Sequence, residues 1–98
     1  MVLRTPEAEK KDVDFIISAN KVITKVKREV EKHHQGIRVD GTISHLKTIL
    51  IELEKMKEQL DNKKFTPTYP IFITDSWSYN SDLGIQLLKL NEEYKKLN

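Results

Sequence analysis

An all-α fold is predicted by two features of the 98-residue sequence. Three stripes of apolar residues repeat at the alternating three- and four-residue spacing of a helix face, and capping or turn residues separate them. The expected arrangement is a long antiparallel helical hairpin plus a C-terminal helix, with an extended aromatic segment between helices two and three. A chain of this length makes one small domain.

The first helix is expected over 6–34. Thr5 is a candidate cap, Pro6 suits the first helical position, and Glu7 and Glu9 favour the positive end of the helix dipole. Ile16, Ala19, Ile23, Val26 and Val30 form its stripe, widened by Phe15 and Val22. Gly36 offers the left-handed residue that ends a helix, after Lys32, His33 and His34 in the last turn. Such a helix is about 45 Å long. In the connection that follows, Ile37 and Val39 should tuck inward, and Asp40 and Thr42 are candidate caps.

Helix two, over 42–62, carries Leu46, Ile49, Leu53, Met56 and Leu60. The short connection before it favours an antiparallel hairpin with helix one. The last helix, over 81–97, starts at a cap supplied by Asn80 or Ser81 and repeats Leu83, Leu87, Leu90, Tyr94 and Leu97. Gly84 in its first turn is costly in a helix, which implies close packing there.

Between these helices, 63–79 holds "FTPTYPIFITDSW". Its β-branched and aromatic residues, bounded by Pro67 and Pro70, predict an extended segment, read either as a strap in which Phe65, Tyr69, Phe72 and Trp77 pack across the open end of the hairpin or as a partner-binding loop. If the strap alternates faces, Phe72 enters the core, while Tyr69, Trp77 and Tyr79 face outward. Ile51, Ile85 and Leu88 also lie away from the stripes. Tyr69, Trp77 and Tyr79, with Ile85 and Leu88 beside them, are therefore the candidate partner-binding residues.

Lys21, Lys25, Arg28 and Lys32 form a basic face opposite the apolar stripe of helix one. Such a row can dock an acidic partner or follow a phosphate backbone. It can equally be a solvated face, with Lys25 paired to Glu29 and Lys27 to Glu31. The net charge of +2 is too small to drive strong non-specific nucleic-acid binding. With no Cys, disulfides, zinc-thiolate sites and thiol nucleophiles are excluded, in keeping with a reducing cytoplasm. His33, His34 and His45 lack metal-ligand spacing, the glycines are isolated, and no paired acids suggest acid–base chemistry.

No apolar stretch reaches spanning length, and "MVLRTPEAEKKD" lacks the core of a signal peptide, so a membrane location is not expected. The Lys, Ile and Asn bias fits an AT-rich bacterial or phage genome. The expectation is a small, cytoplasmic, non-enzymatic protein without cofactor or metal. It would bind another protein as an adaptor, regulator or inhibitor, and a homodimer through the leftover apolar patch is compatible. The alternatives are a toxin- or bacteriocin-immunity type helical protein and a nucleic-acid-associated regulator using the basic face.

Overall fold

The computed structural model describes residues 6–36, 42–77 and 81–97. The expectations for Thr5, Ile37, Val39, Asp40, Tyr79 and Asn80 lie outside the described residues. Among the described residues there are four helices: α1 (Pro6–His34), α2 (Ile43–Gln59), α3 (Tyr69–Ser76) and α4 (Asp82–Lys95). No described residue belongs to a strand.

The additional helix is α3, and it corrects the extended strap expected over 63–79. Pro67 and Pro70 suggested extension. Pro70 instead occupies the first turn of α3, where its missing N–H would have had no intrahelical partner. The Ile71 amide bonds to the Thr68 carbonyl, and the amides of Thr68 and Tyr69 are met from α2. The Glu52 carboxylate accepts from the Thr68 amide at 3.0 and 2.9 Å, from the Tyr69 amide at 2.8 Å and from the Thr68 hydroxyl at 2.7 Å. Thr68 makes no side-chain cap of its own. A negative charge here also suits the helix dipole.

The helices form a ring. α1 packs against both α2 and α4, and α3 packs against α2 and α4 on the side away from α1. α4 runs antiparallel to α1, since Gln86 meets Lys25 whereas Tyr94 meets Phe15. The Tyr94 hydroxyl also reaches the carbonyls of Asp61 and Phe65, at 2.8 and 2.6 Å, and so ties the exit of α2 to that same end. α1, at 29 residues, spans most of the 49 Å long axis.

The core follows the three stripes closely. Leu46, Ile49, Leu53 and Met56 from α2 are completely buried, as are Ala19 and Val26 from α1 and Leu87 and Tyr94 from α4. Each fully buried Leu, Ile or Met contributes roughly 1.5–3 kcal/mol. On α1 the buried face is centred on Phe15 and Val22, with Ile16 and Val30 at its edges.

Two caps form where the sequence places them. The Thr42 hydroxyl accepts from the His45 amide, and the Ser81 hydroxyl accepts from the Gly84 amide. Gly36 ends α1 at φ +79°. The close packing expected at Gly84 is present, because a Cβ there would lie 3.3 Å from the Trp77 ring and 3.4 Å from the Ser81 Cβ. α2 ends on Leu60, which takes the left-handed conformation at φ 52° and returns its amide to the Met56 carbonyl.

Candidate functional site

A helical α3 reverses the expected directions of its aromatics. Tyr69 and Trp77, expected on the surface, are buried at 0% and 7% exposure. Phe72, expected in the core, is half-buried and stacks on the His45 ring at 4.4 Å with 18° between planes. The cause is the change of period. An alternating chain sets 69, 71 and 73 on one face, whereas a helix gathers 69, 73 and the residue after its last turn. Ile71, one residue past Pro70, is left 66% exposed.

The tyrosines serve the fold. The Tyr69 hydroxyl donates to the Leu87 carbonyl at 2.8 Å and pins α3 to α4. Burial, with the nearby Glu52 charge adding to it, pushes the Tyr69 phenol well above its ordinary value. Tyr94 is also raised, chiefly by burial. Its bond to the Asp61 carbonyl works against that shift, and the Asp61 charge adds to it. Both rings are therefore neutral donors at physiological pH, which suits a structural role.

With the aromatics inside, an apolar groove of about 440 Å³ lies between α3 and α4. Pro70 and Thr74 form its α3 wall. Ile85 and Leu88 lie on the α4 side together with Asn91 and Lys89. Ile85 is 40% exposed, and Leu88 is half-buried against the core. The groove thus brings together two of the five candidate partner-binding residues. Tyr69 and Trp77 lie beneath the surface instead, and Tyr79 falls outside the described residues.

Besides the charged rim of Lys89, Glu92 and Lys95, three groove residues escape a reading by sequence alone. Pro70 and Thr74 were hidden by the extended reading of their segment. Asn91 had one legible sign: it sits four residues after Leu87 and seven after Gly84, a polar residue at the edge of an apolar stripe. It is 5% exposed, and its Oδ1 has no hydrogen-bond partner among the described residues.

The basic face is divided by its surroundings. Lys21 and Lys25 line a smaller hollow of about 210 Å³ between α1 and α4, with Lys89 on the opposite side. Lys25 donates to the Gln86 carbonyl oxygen rather than to Glu29, while Glu29 pairs with Lys32 at 3.3 Å. Arg28 is exposed. Such exposed pairs contribute little to stability.

Among the described residues, no three His, Asp or Glu side chains converge in a way that could hold a metal ion. No described helix is long and apolar enough to cross a membrane. Comparisons with family models, curated proteins and solved structures return no match.

Proposed function

We propose that this chain is a non-enzymatic binding module that docks a partner protein in the α3/α4 groove. One observation carries the reading. After the core has closed, Ile85 and Leu88, which no stripe accounts for, line the same apolar concavity as Pro70 and Thr74. Its polar rim is supplied by Lys89, Glu92 and Lys95. An apolar floor with a charged rim is the usual anatomy of a protein-docking patch.

A photo-crosslinking residue placed at Thr74 and expressed in the native host tests the reading. A discrete protein adduct is expected, lost when Ile85→Lys is added and missing when the crosslinker stands at exposed Lys47 on α2. An adduct of twice the chain's mass would identify the partner as a second copy. Equal labelling at Thr74 and Lys47 would remove the groove as a docking site.

A further inference from the structure

The chemistry of the groove narrows what it can hold. Asn91 lies within a helix, where asparagine is a weak former, on a face that Leu87, Leu90 and Tyr94 otherwise make apolar. Its side-chain oxygen is shut away from solvent and makes no hydrogen bond among the described residues. A buried polar atom without a partner destabilises the fold, and leucine at this position would avoid that cost. A half-turn of the amide exchanges Oδ1 and Nδ2, so either group can be turned towards the groove that Asn91 lines.

A helical ligand could offer this amide only a side chain, because its backbone N–H and C=O groups are already bonded within the helix. An extended chain presents one free donor and one free acceptor at every residue. With its other end buried, the Asn91 amide turns one group to the groove, and an extended chain can meet it whether that group donates or accepts. The α3 wall is eight residues long, about 12 Å, which matches three or four residues of extended chain.

Charge adds a direction. Lys95 on the rim is engaged by Glu92 at 3.5 Å, whereas exposed Lys89 makes no ion pair among the described residues. A carboxylate beside the apolar segment would meet Lys89.

We infer that the groove takes an extended peptide segment of a partner protein. Asn91 reads its backbone, Ile85, Leu88 and Pro70 receive its apolar side chains, and Lys89 receives a flanking acidic residue. This inference rests on the docking function proposed above.

The test pans two phage-displayed libraries on the immobilised full chain: random linear dodecapeptides, and a rigid helical scaffold with one randomised face. Linear binders carrying apolar residues beside Asp or Glu are expected. Their Kd should rise about tenfold or more with Asn91→Leu and with Ile85→Lys, and several-fold with the exposed Lys89→Glu. Asn91→Leu should at the same time raise Tm by roughly a few degrees, so that lost binding is not lost folding. Binders drawn only from the helical library, or linear binders indifferent to Asn91→Leu but lost with Ile85→Lys, would overturn the extended occupant and leave the docking groove standing. A fall in Tm with Asn91→Leu would make the amide structural and also overturn the inference. Binders insensitive to Ile85→Lys, or none from either library, would overturn both readings.

Discussion

Helices α2 and α3 lie side by side but are held by different means. α2 is largely self-sufficient: four residues of one stripe are fully buried, Thr42 caps its start, and Leu60 closes its end on Met56. α3 is eight residues long, too short to be stable alone, and its fastenings come from other helices. Glu52 of α2 caps it, Tyr69 bonds to Leu87 of α4, and Trp77 rests on Gly84 of α4. The contrast shows how one wall of the groove is built: α3 exists because α2 and α4 are already in place.

The sharpest way to break this comparison is Trp77→Ala. The ring is 7% exposed and packs on a glycine that leaves room for it. Its removal should cost about 3–5 kcal/mol in urea unfolding. A loss below 1 kcal/mol would show that α3 does not depend on this contact.

Alkaline pH should have the next largest effect. Both Tyr69 and Tyr94 have folded-state pKa values above the ordinary value near 10, the value expected when unfolded. Their contribution is therefore fully present below about pH 10. As pH rises further, the unfolded chain releases protons that the folded chain keeps, and stability falls. Each tyrosine adds up to about 1.4 kcal/mol per pH unit to that slope. Tyr69→Phe and Tyr94→Phe should each flatten it in denaturation series run from pH 9 to 11. An unchanged slope in both variants would contradict their protected state.

The two capping devices can then be compared directly. Glu52→Ala leaves two backbone amides and a hydroxyl without their acceptor, and should cost about 2–3 kcal/mol. Hydrogen exchange should accelerate first at Ile73 and Trp77, whose amides lie in and just after α3, while Leu53 and Met56 stay protected. Uniform acceleration through α2 would mean that α3 does not open separately. Thr42→Ala removes one local cap and should cost only about 1 kcal/mol, with fraying confined to the first turn of α2.

The same division separates what could be read in advance at the candidate site. The 100° step of a helix was enough to set Ile85 outside the Leu83–Leu97 stripe, and the structure leaves it 40% exposed. It was not enough for Tyr69, Trp77, Pro70 or Thr74, because their positions depend on whether residues 69–76 wind or extend. The segment 67–74, with two prolines and six β-branched or aromatic residues, reads locally as extended. The deciding group, the Glu52 carboxylate, is 16 residues away from Thr68 in the chain.

By itself, the sequence determined the three long helices and their buried faces, through apolar periodicity. It also narrowed the caps to Asp40 or Thr42 and to Asn80 or Ser81, and set the left-handed stop at Gly36. These are local properties, set within a few residues by side-chain spacing and backbone sterics. Tertiary structure alone decided that 69–76 is helical, that Tyr69 and Trp77 point inward, and that a groove remains beside Asn91. Those outcomes depend on hydrogen bonds and packing between residues distant in the chain. Such contacts can override local preference once the surrounding helices have assembled.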